Sequence, residues 1–477
     1  MDKVLRLLGM RYATAALMLV AVAALYGAAT FSRPGEASEK GRTAPVTHAV
    51  VVCPGHEGGR VAVQSLSQKG GGRVDMTPTK GGSPLASMSS PGQGWDKDTK
   101  SGEDSYTVRA TGAMAAGLEA EQTTHWSGGP DRGLAGARCA APGTDRWFLS
   151  PGPVATDQLD LYLTNVDAQP AFVNLSALSG EGPLDTPEGL GTRVEPYTTR
   201  VVKIGDSAEG LGDIVQGATD LALRVRTTSG RVAASLRARA GKKKGIEWLP
   251  QSGGPATSVL VPGVPGGGGQ RRLLVSVPGE ADARIKVQVI TAGGAFAPQG
   301  QDVLDAPAKT VTSVQLTGAL SGKAAAVRLV ADRPILAGFA ADRGADIAYG
   351  TATPPLAASG PGVVADNRFD SSLILTAPAG AATVQVVTMN AAGKSTPQDV
   401  QIPAGRTVET ELTAPGKDDA SYGAVITPKP GSAPVYASRT LAKGKGDDYL
   451  FTVLPIVPAP TTIHLPDTAD SQTSLTP

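Results

Sequence analysis

Two cysteines and two nearby histidines are the residues of this chain best suited to chemistry. Cys53 and Cys139 are its only cysteines, and His48 and His56 flank the first of them. All four side chains are ordinary zinc ligands, but the spacing from His48 through Cys53 to His56 matches no common zinc site. The alternative is a disulfide between the cysteines, which would stabilise the fold by roughly 4 kcal/mol in the chain-entropy model. We predict the disulfide and no bound metal.

The other short motifs each fail at a position that their chemistry requires. Gly393–Ser395 resembles the end of a phosphate-binding loop, but Thr388 replaces the first glycine and Pro397 stands where a helix should begin. The acidic pairs at 418–419 and 447–448 lack the spaced carboxylates of a calcium loop. The sequence therefore predicts no catalytic residues and no cofactor.

One basic cluster is the best candidate for an anionic ligand, and it lies just before a strand that contains Trp248. It has two interpretations, a solvated hairpin tip or a site for an anionic envelope polymer or lipid headgroup. The cluster consists of Arg237, Arg239, Lys242, Lys243 and Lys244.

Four aromatic residues recur at a nearly constant interval. Trp147, Trp248, Tyr349 and Tyr449 are spaced by 101, 101 and 100 residues. Short apolar strands recur at similar positions before each of them, and a period of this length fits a small domain. We predict that the aromatics are structural and lie in a shared core or junction; stacking on sugars is the alternative.

The elements that repeat are strands. Apolar and polar residues alternate within them, and 60 glycines and 37 prolines fall largely between the apolar runs. This pattern predicts an all-β fold of four tandem immunoglobulin-like β-sandwich units after an N-terminal transmembrane helix. The predicted units are 44–151, 152–255, 256–358 and 359–458, with a mobile Gly-rich insertion at 70–102 and a disordered tail at 459–477.

The N-terminus predicts export. Residues 12–32 carry no charge and are long enough to cross a bilayer, and the basic flank at 1–11 should remain in the cytoplasm. Residues 33–43 would be a linker to an extracytoplasmic remainder. The same pattern fits a signal peptide cleaved near Gly27–Ala29, after which the protein would be secreted.

Composition and several motifs narrow the class of protein further. A net charge of +1 provides no field that would attract nucleic acid. The segments at 138–148, 161–165, 222–237 and 245–250, together with the anchor, resemble an actinobacterial secreted family catalogued as domain of unknown function family 5719. The likeness extends from about residue 45 to 458. It implies an exported, membrane-associated protein with no assigned activity and no described site residues.

Three classes of function remain open. The modular pattern favours an exported structural or interaction protein of the cell envelope, without enzymatic activity, that displays four units as a long stalk. A module that binds envelope glycan or an anionic polymer during envelope assembly is the second class. An enzyme is the third and would need acids or histidines clustered between units. We predict the first class, with the cytoplasmic membrane and cell-wall glycan or envelope proteins as partners.

Overall fold

The computed structural model describes residues 18–26, 42–55, 57–67, 69–102, 105–129, 131–241, 244–416 and 421–465. These residues form an almost entirely β structure, as the alternating pattern predicts. Apart from 3-10 turns, the described helices are residues 18–26 and α1 (Thr317–Leu320). None of the described helices is both long enough and apolar enough to span a membrane. Residues 1–17 and 27–41, which include most of the predicted flank, anchor and linker, lie outside the described ranges.

The chain divides into two compact units. The smaller unit contains an antiparallel ribbon of β1 (Arg42–Pro45) and β35 (Thr462–Leu465), in which Arg42 is opposite Leu465. The prediction of a disordered tail at 459–477 is therefore wrong for β35, because its backbone groups are paired; residues 466–477 lie outside the described ranges. The larger unit is Val46–Thr461.

Within the larger unit, the described strands form successive pairs of sheets, and each pair encloses one apolar core. We call each pair with its core a module. Module 1 consists of one sheet in the order β2-β7-β4-β5 and another in the order β6-β3-β8-β9. Its strands are β2 (His48–Cys53), β3 (Glu57–Gln64), β4 (Gly72–Pro78), β5 (Ala86–Met88), β6 (Trp95–Ser101), β7 (Tyr106–Gly112) and β8 (Glu119–Trp126), followed by β9 (Gly133–Arg138).

The predicted mobile insertion at 70–102 is instead an integral part of module 1. It provides β4, β5 and β6, and Val74, Met76 and Met88 from this segment are buried in the core. The glycines that suggested mobility lie at its turns; Gly82, for example, has a φ of 124° that a residue with a Cβ rarely adopts. A high glycine content here reflects tight turns between short strands.

Module 2 has sheets in the orders β10-β16-β12-β13 and β15-β11-β17-β18, with β14 also paired to β12. Both sheets contribute to one core, which includes Phe148, Leu161 and Val173. Its strands are β10 (Asp145–Pro151), β11 (Thr156–Thr164), β12 (Ala171–Leu178), β13 (Pro183–Leu184), β14 (Thr192–Val194), β15 (Thr199–Lys203), β16 (Asp220–Ser229), β17 (Ala233–Ala240) and β18 (Ile246–Leu249).

Module 3 is joined by a single strand of 19 residues, β25, that belongs to both of its sheets. The first part of β25 pairs with β19 and β21, and the second part pairs with β20 and β26. The strands are β19 (Ala256–Val264), β20 (Arg271–Ser276), β21 (Ala283–Thr291), β22 (Gly294–Phe296), β23 (Val303–Ala306), β24 (Val311–Gln315), β25 (Ala325–Arg343) and β26 (Asp346–Thr351).

Module 4 repeats the two-sheet arrangement with the orders β27-β32-β29-β30 and β31-β28-β33-β34. Residues from both sheets, including Leu373 and Val384, form its core. The strands are β27 (Gly362–Val364), β28 (Asp370–Ala377), β29 (Ala382–Asn390), β30 (Ser395–Ile402), β31 (Arg406–Glu411), β32 (Tyr422–Pro428), β33 (Tyr436–Lys443) and β34 (Leu450–Ile456).

The sheet pairing shows that the first repeated aromatic, Trp147, was assigned to the wrong unit. Trp248 and Tyr349 lie on the last strands of modules 2 and 3, and Tyr449 immediately precedes the last strand of module 4. Trp147, in contrast, lies on β10, which pairs with β16 as the first strand of module 2. The predicted boundary at 151/152 therefore follows β10 when it should precede it. The interval of 101 residues between Trp147 and Trp248 therefore does not reflect equivalent positions in two modules.

Candidate functional site at the centre of the modules

Four edge strands meet at the centre of the larger unit. The strands β9, β18, β26 and β34 are each the last strand of their module and the outermost strand of their sheet. They contact one another in sequence, and β34 of module 4 contacts β9 of module 1. Because an unpaired strand edge exposes backbone donors and acceptors, burying four edges together requires other groups to satisfy them. We call these four strands the hub.

The aromatic residues of the hub join each module to the one before it. Trp248 packs with Ala135 and Ala137 of module 1, and its ring lies 5.3 Å from that of Tyr162. Tyr349 of module 3 is buried within the core of module 2. Tyr449 of module 4 packs against the core of module 3. These positions place three of the predicted structural aromatics at junctions between modules.

Module 1 closes the ring through an apolar contact where the other modules carry an aromatic. Leu134 of β9 packs with Leu441, Leu450 and Leu454 of module 4. Glycine at 136 leaves room for this contact, because a Cβ there would lie 2.7 Å from Leu454 Cδ1 and would displace that side chain. The modules therefore form a closed ring, in contrast to the stalk that the sequence suggested.

A buried ion pair strengthens the same junction between modules 4 and 1. Glu121 of β8 accepts from the guanidinium of Arg439 at 2.9 Å, and both side chains are almost completely buried. The same carboxylate oxygen accepts from the backbone N–H groups of Ala365 and Asp366, each at 3.0 Å. Arg439 also donates to the backbone carbonyl of Asp366 and to the side-chain oxygen of Asn367. The bonds to Glu121 therefore cross the junction between modules 1 and 4, and those from Arg439 to Asp366 and Asn367 hold its side chain within module 4.

The carboxylate of Asp366 interacts with the positive charges of Arg368 and Arg439. Burial alone would raise its pKa, but Arg368 and Arg439 outweigh burial and hold the pKa of Asp366 below its ordinary value. Arg368 donates to both carboxylate oxygens, at 2.9 Å from Nη2 to Oδ2. Asp366 is therefore an ionised residue of the junction.

Two further carboxyl groups satisfy the exposed backbone of the hub strands. Glu247 of β18 accepts from the N–H of Gly136 on β9 at 3.0 Å. Asp346 of β26 accepts from Phe451 on β34 at 2.8 Å and from Leu134 on β9 at 3.3 Å. Each carboxyl group therefore provides acceptors that a missing neighbouring strand would have supplied.

Burial shifts the ionisation of these hub carboxyls towards the neutral form. It raises the pKa of Asp346 to about 8, and the pKa of Glu247 lies well above its ordinary value for the same reason. It also raises the pKa of Glu119 to about 7, although Arg138 opposes the shift. Such shifts often accompany catalysis, but here each group is held by bonds within or between modules.

A cavity of about 420 Å³ lies at the hub and is lined by all four modules. Most of its lining is apolar, and Arg138 and Arg146 are its charged members. Arg138 is tied to Glu119 through two bonds of 2.5 and 2.6 Å. The lining comprises residues 136–141, Arg146, Phe148, Ala234, Ser235, 248–253, 351–354, 453–455 and 457–458.

The predicted disulfide is present at one side of this cavity. Cys53 and Cys139 are bonded, and their Cα atoms are 4.3 Å apart. The bond fixes the end of β2 to the segment after β9, next to the backbone bridge between Val52 and Ala140. His48 lies exposed on β2, His56 lies outside the described residues, and no metal-binding group of side chains occurs within the described ranges.

The predicted basic cluster does not form one exposed surface. Arg237 is buried and pairs with Asp160 at 2.6 Å, so its placement on a solvated tip is wrong. Arg239 pairs with Asp131 of module 1, and Lys244 pairs with Asp342 of module 3. Lys242 and Lys243 lie outside the described residues. The described members of the cluster therefore form ion pairs, within module 2 for Arg237 and between modules for Arg239 and Lys244.

The hub carboxyls and Arg146 are functional residues that the sequence did not reveal. Glu247 directly precedes Trp248, and Asp346 precedes Tyr349 by three residues. An acidic residue next to the repeated aromatic was thus the available signal, because a charge within an apolar strand requires a partner when buried. Arg146 had no comparable signal, since the cavity exists only where four distant segments meet.

Comparison with known proteins identifies a family but no activity. A model described as a family of unknown function (DUF5719) matches residues 95–413. No curated protein matches the chain. A crystal structure of a tetra-tandem repeat in the extending region of a large adhesion protein aligns with 90% of this chain and 98% of that chain at 14% identity. Its TM-score is 0.08, so this alignment supports no structural argument.

Proposed function

The chain belongs to the family of unknown function DUF5719, and we propose that it is an exported interaction protein of the cell envelope that acts by binding rather than by turnover. In this proposal the modules are immunoglobulin-like sandwiches, and residues 12–32 anchor them to the cytoplasmic membrane. The closed ring then presents its outer loops as a rigid platform. Loops on a rigid scaffold are where recognition most often occurs.

The observation that carries the proposal is that buried carboxyl groups accept hydrogen bonds that join one module to another. Glu121, Glu247 and Asp346 each accept from the backbone of a different module. None of the three lines the central cavity. Because each of these carboxyl groups accepts a bond that joins two modules of the ring, they support a mechanical role rather than acid–base chemistry on a substrate.

Two features of the chain support export. The disulfide between Cys53 and Cys139 is typical of proteins from oxidising compartments. The basic residues Lys3, Arg6 and Arg11 precede the uncharged segment, as expected for a cytoplasmic N-terminus. A reporter that works only outside the cytoplasm should therefore be active when it is fused after Pro45. Activity of a strictly cytoplasmic reporter at this position would contradict export.

Photo-crosslinking in the native envelope tests the interaction role. Leu190 and Ile214 of module 2 are large apolar residues exposed to solvent, which makes them suitable positions for a photoreactive side chain. We expect crosslinks from these positions, or from other exposed loops, to a defined envelope protein or glycan. Phe451, which is buried in the hub, is the matched control and should give only crosslinks within the chain. If every exposed position crosslinks to nothing, the interaction role is wrong.

A further inference from the structure

We propose that the central cavity binds a small molecule with one anionic head, such as a carboxylate, joined to an apolar body. This inference adds a ligand site to the proposed function and does not depend on where the protein is located. A volume of about 420 Å³ is within the range of about 300–1,000 Å³ that is usual for ligand pockets. Because all four modules line the cavity, such a ligand would bind only to the intact ring.

The charge of the lining determines the sign of the ligand. Its charged residues are Arg138 and Arg146, and no carboxyl group is among the described lining residues. Glu119 neutralises Arg138 through two bonds. Arg146 has no carboxylate within ion-pair distance among the described residues, and its bonded Nη1 donates to the backbone carbonyl of Asp145. Within the part of the chain that the structure describes, Arg146 is therefore a cation at the cavity without a carboxylate partner.

The guanidinium of Arg146 is held in position by its surroundings. Its Nη2 packs directly against Gly143, where even a Cβ would overlap it. Gly143 is itself fixed to Val232 by backbone bonds in both directions, at 2.9 and 3.0 Å. The Nε of Arg146 is buried and has no partner among the described residues. A planar guanidinium held in this way suits a carboxylate, which can accept two parallel bonds from it.

The remaining lining explains the apolar body. Ala137, Phe148, Trp248 and Leu249 are among its apolar lining residues. The indole N–H of Trp248 and the hydroxyl of Thr353 are buried without partners in the described part of the chain. Unsatisfied buried donors of this kind are costly, and a ligand acceptor that reaches them would gain affinity.

Calorimetric titration with three matched compounds tests the inference. The probes are 2-naphthoate, the neutral 2-naphthamide and the cationic 2-naphthylmethylammonium, each titrated into the full-length chain in lipid nanodiscs, with empty nanodiscs as the blank. We expect saturable binding of one 2-naphthoate. The amide should bind about tenfold or more weakly and the ammonium compound not at all, because only the carboxylate pairs with Arg146.

Variants then locate the site. Arg146→Gln should weaken 2-naphthoate binding by about tenfold or more while leaving the amide unchanged, and Arg146→Lys should retain part of the binding. Arg333→Gln is the matched control, because Arg333 is exposed on module 3 and does not line the cavity. Ala137→Leu, which reduces the cavity from the apolar wall, should weaken both the naphthoate and the amide. Circular dichroism confirms that each variant is folded.

Three outcomes would overturn the inference. The first is no saturable binding of 2-naphthoate by the wild-type chain up to the solubility limit of the probe. The second is equal binding of the three probes, which would remove the role of charge. The third is unchanged binding in folded Arg146→Gln, which would place the anion elsewhere. None of these results depends on the outcome of the crosslinking or reporter experiments, so the two proposals fail separately.

Discussion

Arg439 provides a buried ionic link between the last module and the first. Removing Arg439 would leave Glu121 buried with only its backbone donors. Because an unpaired buried charge is costly, we expect Arg439→Met to reduce the free energy of unfolding by about 3–5 kcal/mol. Urea denaturation followed by circular dichroism measures this change. Adding Glu121→Gln to the same chain should restore part of the loss, since it removes the uncompensated charge.

An exposed ion pair of module 4 is the control for this residue. Lys429 pairs with Asp399 at 2.5 Å, but both side chains are about half exposed. Lys429→Met should therefore change stability by about 1 kcal/mol at most. An equal loss in Lys429→Met and Arg439→Met would show that burial at the junction has no special importance.

The basic cluster shows why sequence reasoning fails at the scale of single charges. Its cations are adjacent in sequence, but their acidic partners Asp131, Asp160 and Asp342 lie far away in the chain. A list of residues therefore shows an excess of positive charge where the fold has neutral pairs. The disulfide was predictable because a chain with two cysteines allows one pairing within the chain, and the predicted export favours its formation.

At the scale of elements, the hub strands depend on the protonation of Asp346. Its raised pKa, about 8, means that the folded chain holds a proton which the unfolded chain releases near pH 4. Stability from this group is therefore present at low pH and falls as the pH rises from about 4 to 8, by up to about 1.4 kcal/mol per unit. We expect the urea midpoint of the wild-type chain to be lower at pH 8 than at pH 5.5.

A neutral replacement isolates the contribution of this carboxyl. Asp346→Asn cannot ionise, so its stability should be lower at pH 5.5 but should depend less on pH than that of the wild type. Asp305→Asn, at an exposed position of β23, should keep the full dependence. If Asp346→Asn and the wild type lose stability in parallel across this range, another group is responsible.

The repeat of strands could be read from the sequence, but its phase in module 1 could not. Alternating apolar residues mark β11, β20 and β28 equally well because these strands hold equivalent positions in their sheets. In module 1 the corresponding strand is β3, and the last strand, β9, carries Leu134 and Gly136 instead of an aromatic. Trp147 filled the expected interval by coincidence. Gly136 leaves room for the side chains of β34, and no local pattern encodes this approach.

At the scale of the whole molecule, the ring arises from contacts between residues hundreds of positions apart. The contact of β9 with β34 joins segments near residues 135 and 453. Sequence periodicity predicts modules but does not predict whether their ends meet. The aromatic junctions show how the ring forms, because module 3 supplies Tyr349 to the core of module 2 and module 4 supplies Phe451 and Val453 to the core of module 3.

We therefore expect the larger unit to unfold in one cooperative step, although each module has its own core. Tyr349 of module 3 completes the core of module 2, and Phe451 and Val453 of module 4 complete that of module 3. Calorimetry of the full chain should show one main transition with equal van't Hoff and calorimetric enthalpies. A chain that ends after residue 358 should melt at a much lower temperature or aggregate, because it exposes those faces and leaves β9 without β34. Several resolved transitions, or a shortened chain that melts with the intact one, would show instead that the modules are independent.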